Sequence, residues 1–255
     1  MARKDGRAPD EHRRIEMTPG FHRNAEGSVL YRAGNTVVLC TASIDPTVPA
    51  WMAGRGKGWL TAEYQMHPRS SPDKREARDG RGKAPSGRTQ EIQRLIGRAL
   101  RAAVDMTALG ERTIAIDCDV LEADGGTRTA SISGGFVALA LAAARLHKRD
   151  GAQPFLREPV AAISAGKIGR DVLLDLVYVE DRDADVDLNL VATESGAIIE
   201  VQGTAEGEPM TRAEMDALID SALAGVRSIT RLQRAALAGE GVDLRALQVH
   251  AGASS

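Results

Sequence analysis

The stretch from Thr113 to His147 narrows the possible folds more than any other. Thr113-Ile-Ala-Ile-Asp-Cys-Asp-Val-Leu121 alternates in the manner of a half-buried strand. Asp124-Gly-Gly-Thr-Arg-Thr129 follows, and an apolar helical run then continues through about His147. A strand that feeds directly into a helix needs a sheet for the helix to lie on. Aromatic residues are only 3% of the chain, so Ala, Val, Leu and Ile must build that core.

The rest of the chain extends the same pattern. Gly27 to Ser43 holds two β-rich runs flanking Gly34-Asn35, residues suited to the positive φ of a tight hairpin. Residues 49–58 and 67–88 read as loops; the second carries three prolines among ten charged residues, long for a connection inside a domain. Ile92, Leu95, Ile96, Ala99, Leu100 and Ala103 share one helical face, with Arg94, Arg98 and Arg101 opposite. A meander of strands is expected over 160–165, 172–180, 186–193 and 197–202. A final helix opens with Thr211-Arg-Ala-Glu214, a capping-box pattern. Strands and helices interleave without a linker-like break, which predicts a single α/β domain over 1–237 followed by a loose tail, 238–255.

Net charge is −2, which alone argues against a polyanion partner. Its distribution argues otherwise. Residues 1–103 carry 19 Lys and Arg against 11 Asp and Glu, the remainder 14 against 24. Such local imbalance suits a polyanion on one face, although a solvated surface reads equally well from charge alone. No apolar run suggests a membrane span, and Met1-Ala-Arg-Lys-Asp lacks the apolar core of a secretory signal. Cys40 and Cys118 lie in strand-like stretches and read as buried free thiols, so a cytoplasmic location is expected. The five histidines form no spaced zinc set. Trp51 and Trp59 could stack bases, but loop packing is the plainer reading.

Two segments could carry chemistry. Asp124-Gly125-Gly126-Thr127-Arg128 joins a strand to a helix start, where free N–H groups and the positive dipole end attract phosphate. Thr127 can add a hydroxyl and Arg128 a bidentate fork. A plain glycine-rich turn is the commoner meaning of so short a match. Neither a Walker loop nor a dinucleotide fingerprint is present. Arg88 precedes the next helix upstream, with Thr89 a candidate N-cap, and could reach the same anion if the two helix starts face each other.

The second segment is Glu180-Asp181-Arg-Asp-Ala-Asp-Val-Asp187, five acids in eight residues. As a hairpin loop between two strands it would bring Asp181 and Asp187 together, and paired carboxylates suit Mg²⁺. Asn189 would share the face of Asp187. A solvated acidic turn is the bland alternative.

Several blocks resemble ribonuclease PH. They are Gly58-Trp-Leu-Thr-Ala-Glu-Tyr64, Gly87-Arg-Thr-Gln-Glu-Ile-Gln-Arg-Leu-Ile-Gly-Arg98, Asp117 to Ser131, Tyr178-Val-Glu-Asp181 and Ile199-Glu-Val-Gln-Gly-Thr-Ala-Glu-Gly207. The match runs in order from about residue 3 to 235. One departure is Asp175-Leu-Val-Tyr178, where the family carries an acid at the position of Val177. Another is Met66-His-Pro-Arg-Ser-Ser71, with irregular arginine spacing after it.

The resemblance implies a phosphorolytic 3′→5′ exoribonuclease, a nucleotidyltransferase that trims transfer-RNA precursors and releases nucleoside diphosphates. It implies a ribonuclease PH-like α/β fold of mixed sheets packed with helices, assembled as a homohexameric ring, a trimer of dimers. Arg88, Gly126, Thr127 and Arg128 would hold inorganic phosphate. Asp181 and Asp187 would be the catalytic and metal-binding pair, with Mg²⁺ or Mn²⁺; Asp187 as a general acid is the other role open to it. Arg69, Arg75, Arg78, Arg94 and Arg98 would touch RNA. An inactive RNA-holding ring subunit of exosome type is the alternative, and metal-only hydrolysis a third.

Overall fold

Gly34 and Asn35 close a two-residue hairpin between β2 (Gly27–Ala33) and β3 (Thr36–Asp45), with Ala33 opposite Thr36. Gly34 has φ +54°, the left-handed backbone this turn requires. The computed structural model describes residues 3–72, 75, 77 and 84–249. β1 (Ile15–Pro19) pairs antiparallel with β2, and β5 (Thr113–Glu122) antiparallel with β3. β4 (Trp59–Met66) lies parallel to β5, giving a five-stranded sheet in the order β1-β2-β3-β5-β4. A parallel pair needs a crossover. It is supplied by α1 (Gly87–Ala102) and the short α2 (Met106–Leu109). The sequence reading did not assign β1 or β4.

α3 (Thr127–Asp150) lies between this sheet and a second one. Its apolar stretch is long enough to cross a bilayer, yet here it is buried between the sheets. The approach is close because the contacts are small. A Cβ on Gly27 would lie 2.0 Å from the Ala138 carbonyl oxygen, and one on Gly134 would lie 2.8 Å from Cys40 Sγ. Cys40 and Cys118 face each other across β3 and β5 as buried free thiols.

The second sheet runs β7-β6-β8-β9, all antiparallel: β6 (Val160–Ile168), β7 (Asp171–Leu174), β8 (Val186–Thr193) and β9 (Ile198–Ala205). α5 (Arg212–Gly239) covers its outer face with Leu218, Ala222, Val226 and Ile229. The capping box is present: the Glu214 amide donates to Thr211 Oγ1 at 3.2 Å, and the Thr211 amide to Glu214 Oε2 at 2.7 Å.

Two expectations need correction. The strand expected over 172–180 stops at Leu174, because Asp175 adopts φ +56°, which a strand cannot continue through. Tyr178–Asp183 then forms a short helix, α4, so Asp181 sits on a helical turn and not at a hairpin end. The expected loose tail is ordered as far as Val249. Leu244 and Leu247 are buried in the core of the first sheet, and Leu156 exchanges backbone hydrogen bonds with Leu247 (3.0 Å) and Val249 (2.7 Å). Their apolar side chains close the end of that core. The last six residues, 250–255, lie outside the described residues.

Candidate active site

Gly125 and Gly126 turn the chain from β5 into α3 with φ of +77° and +67°. Side chains are excluded at the first: a Cβ on Gly125 would lie 2.6 Å from the Leu176 carbonyl oxygen and 2.9 Å from the Tyr178 nitrogen. The glycine pair therefore packs directly against the segment leading into α4. Gly126 is the N-cap of α3 and gives no side-chain cap, so the helix presents its first N–H groups to an outside acceptor.

The N-terminal turns of α1 and α3 are neighbours. Glu91 of α1 lies 3.5 Å from Arg128 of α3. Tyr64, at the end of β4, hydrogen bonds through its phenol to Thr127 Oγ1 at 2.8 Å. Burial pushes the Tyr64 phenol above its ordinary pKa; the Thr127 hydrogen bond and the charges of Arg88 and Arg128 act the other way. Both arginines thus act electrostatically on the Tyr64 phenol, and Arg88 itself is exposed. The N-cap of α1 is Ser86, whose Oγ accepts from the Thr89 amide at 3.2 Å, and not Thr89. That places Arg88 inside the first turn.

Arg128 rests on β9. Its Nη1 donates to Gln202 Oε1 at 3.0 Å, and Gln202 Nε2 in turn donates to Glu91 (3.3 Å) and Glu200 (3.2 Å). Glu200 accepts a fork from Arg98 at 2.8 and 3.0 Å. Of the residues expected to meet RNA, Arg98 lies at the surface and pairs with Glu200. Arg69, Arg75 and Arg94 are exposed, Arg69 with Nη2 donating to the Pro72 carbonyl at 3.3 Å. Arg78 lies outside the described residues. Trp51 and Trp59 pack edge to face with centroids 4.9 Å apart, and Arg101 covers Trp59, which is the loop-packing reading.

Asp187 stands on β8 opposite Thr204, with Asn189 two residues along, opposite Gln202. Its Oδ1 is buried and has no hydrogen-bond partner among the described residues. Burial raises its pKa first, then the charges of Asp181 and Glu206; Arg128 opposes them. The two predicted carboxylates and the predicted arginine therefore share one electrostatic neighbourhood, although Asp181 arrives there on a helix. A buried carboxylate oxygen without a donor, beside a second carboxylate, is a fit for a hard cation. Among the described residues no cluster of three or more His, Cys, Asp or Glu could hold a metal. A cation at this pair would take its remaining ligands from water and phosphate oxygens, as Mg²⁺ commonly does.

Tyr64, Gln202 and Glu91 escaped the sequence reading as site residues, and so did a buried ion pair behind the glycine turn, Arg13 with Asp175, 2.7 Å apart. Their significance lies in pairing between strands and helices far apart in the chain, which no local pattern carries.

Comparison with known proteins agrees with this architecture. The profile of the 3′ exoribonuclease family, domain 1, matches residues 11–144, and that of domain 2 matches residues 158–225. Ribonuclease PH of Rhodococcus erythropolis (strain PR4 / NBRC 100887) is 50% identical over 242 residues, covering 92% of this chain and 91% of that protein. Among solved structures, rice (Oryza sativa) Rrp46 superposes with a TM-score of 0.75 at 20% identity, over 92% of this chain and all of that one. A chain of the Archaeoglobus fulgidus exosome, solved with RNA bound to the active site, gives 0.73 at 22% identity, over 90% and 92% of the two chains. At these identities the structural neighbours speak for the fold alone, while the sequence matches decide the family: the chain belongs to the 3′ exoribonuclease family, among the ribonuclease PH proteins.

Proposed function

We propose that this phosphate-dependent 3′ exoribonuclease holds inorganic phosphate between Arg88, Arg128 and the Gly126–Thr127 turn. An oxygen of that phosphate bonds to the phosphorus of the terminal nucleotide. The bond from that phosphorus to the 3′ oxygen of the preceding nucleotide breaks, a nucleoside diphosphate leaves, and the freed 3′ oxygen takes a proton. The RNA is the 3′ end of a transfer-RNA precursor.

The observation that carries this reading is the meeting of two helix starts. Arg88 lies in the first turn of α1, whose Glu91 is 3.5 Å from Arg128 in the first turn of α3, beside the Tyr64–Thr127 hydroxyl pair. Bringing a phosphate dianion up to an RNA phosphate meets repulsion. Two fixed guanidiniums and a helix N-terminus offset it without reorganisation. A hydrolase has no use for such an anion site, and retention of every one of these groups supports an active enzyme over an inactive ring subunit.

Asp181 and Asp187 would hold a divalent cation, Mg²⁺ or Mn²⁺. When bound, it supplies positive charge against the phosphate being cleaved. Arg128 bonds to Gln202, which lies across the strand pair from Asn189, two residues along from Asp187, so the phosphate and metal positions adjoin. Exposed Arg69, Arg75 and Arg94 are read as phosphate contacts for the RNA strand. The assembly is read as a homohexameric ring, a trimer of dimers, in the cytoplasm; the mass of the full chain in solution checks the first.

The decisive experiment incubates the protein with 3′-extended transfer RNA and Mg²⁺, with and without phosphate, and identifies the nucleotides released. Diphosphates only in the presence of phosphate, lost in Arg128→Ala and in Asp187→Asn, are expected. Monophosphates in both tubes would mean hydrolysis. RNA bound but uncut would make the chain a binding subunit.

A further inference from the structure

We infer that Arg13 is a positioning residue, fixing the phosphate turn and the Asp181 helix to one another through a single buried guanidinium. The inference rests on the reading of Gly126–Arg128 as the phosphate site.

Arg13 is 5% exposed, and its donors are all directed. Its Nε and its backbone amide donate to Asp175 Oδ2 at 2.9 and 2.8 Å, and Nη2 donates to Asp175 Oδ1 at 2.7 Å. On the other side Nη1 donates to the Asp124 carbonyl at 2.6 Å, and Nη2 reaches the Gly125 carbonyl at 3.4 Å. Asp124 and Gly125 lead into the phosphate turn. Asp175 is the left-handed residue that ends β7 and sends the chain into α4, where Asp181 sits. One planar group therefore spans the two halves of the site.

Arg7 adds to the Asp175 side, 3.5 Å from its Oδ2 and donating to its carbonyl at 3.1 Å. The Tyr178 amide donates to Asp124 Oδ1 at 3.3 Å, and two further neighbours complete the clamp. Thr36 Oγ1 donates to the Gly125 carbonyl at 2.7 Å and accepts from the Asp124 amide at 3.0 Å. Arg3, also buried, forks Glu180 at 2.9 and 2.6 Å and donates to the carbonyls of Leu174 (2.8 Å) and Asp175 (2.9 Å). Glu180 directly precedes Asp181. A buried ion pair is poor evidence for stability, since apolar packing stabilises as well. What a guanidinium adds is direction: five donors in a rigid plane fix orientation, which apolar contacts do not. Misplacing reacting groups by about 1 Å can cost on the order of a hundredfold in rate.

Arg13→Lys and Asp175→Asn test this in the full-length protein. Lysine keeps the charge and loses the fork; asparagine tolerates the left-handed backbone and loses the charge. Calorimetry reads the binding of inorganic phosphate, and the fading free-ion resonance of Mn²⁺ reads the carboxylate pair. Both affinities are expected to fall together by about tenfold, because one clamp serves both. Thr36→Val removes the two loop bonds and a 3.3 Å hydrogen bond that Thr36 Oγ1 accepts from Arg13 Nη1, but leaves the Arg13–Asp175 ion pair intact. It is expected to weaken phosphate by about threefold with Mn²⁺ unchanged.

Arg13→Lys or Asp175→Asn folded, with both affinities within about twofold of the parent, overturns the inference. If neither folds, Thr36→Val with unaltered phosphate affinity overturns it. A parent protein that binds no phosphate, or an Arg128→Ala protein that binds it normally, overturns the underlying reading of the site.

Discussion

The phenol of Tyr64 and the hydroxyl of Thr127 lie 2.8 Å apart where the end of β4 meets the first turn of α3. Both side chains are buried, Tyr64 at 2% exposure and Thr127 at 8%. A threonine hydroxyl that gives its hydrogen to an anion can accept one from the phenol, so Tyr64 serves to aim Thr127 outward.

Tyr64→Phe should therefore weaken phosphate more than it slows turnover. Losing one neutral hydrogen bond costs about 1 kcal/mol, which is roughly a fivefold rise in the KM for phosphate. kcat at saturating phosphate should change by less than about twofold. Thr127→Val, which removes the group that meets the anion, should raise KM further. Equal falls in kcat and kcat/KM for Tyr64→Phe would show the pair acting in the transition state instead.

Arg128 does not wait empty for phosphate. Glu91 lies 3.5 Å from it, and Gln202 holds its Nη1. An incoming anion competes with Glu91, which is half exposed, so solvent screening keeps the competition modest. Glu91→Gln is expected to tighten phosphate by about two- to threefold while leaving Mn²⁺ binding unaltered. Phosphate titrations at two ionic strengths check this, since added salt should shrink the difference between parent and variant.

Much of this was readable from the chain alone, and the reasons differ from residue to residue. Gly34-Asn35 and the Thr211–Glu214 box are local devices, and local chemistry is written in local sequence. The phosphate turn was readable because strand, glycine pair and helix are contiguous. Asp187 opens its strand as expected, whereas Asp181 sits on a helical turn and not at a strand end. The turn that ends β7 depends on Asp175 being held by Arg13, 162 residues away. No periodicity in 172–180 reports such a partner. The burial of Leu244 and Leu247 is hidden for a similar reason, since a short apolar pair in a polar tail shows nothing of the Leu156 backbone to which that segment bonds.

Val177 offers a test of α4 itself. It is the N-cap residue, with φ −78° and ψ 164°, the backbone from which an aspartate side chain caps a helix. Valine cannot do so; only Glu180 reaches back, accepting from the Val177 amide at 3.1 Å. Val177→Asp should stabilise α4 by about 1 kcal/mol. Amide exchange of the peptide spanning α4 should slow severalfold. Unaltered exchange would mean that Arg3 and Glu180 already hold the turn as firmly as a cap would.

The Arg13–Asp175 pair sets an acid limit on stability. Burial pushes the Asp175 carboxyl up, but the hydrogen bonds and charge of Arg13 outweigh it and hold the pKa below its ordinary 3.8. A depressed folded pKa means the ionised form contributes stability that is complete above 3.8 and is lost as pH falls through the lower folded value. Arg13 stays charged throughout that range. The gap in urea midpoint between the parent and Asp175→Asn should therefore stay constant from neutral pH down to about 4 and close only below it. A gap that closes already above about pH 5 would assign the loss to a group other than Asp175.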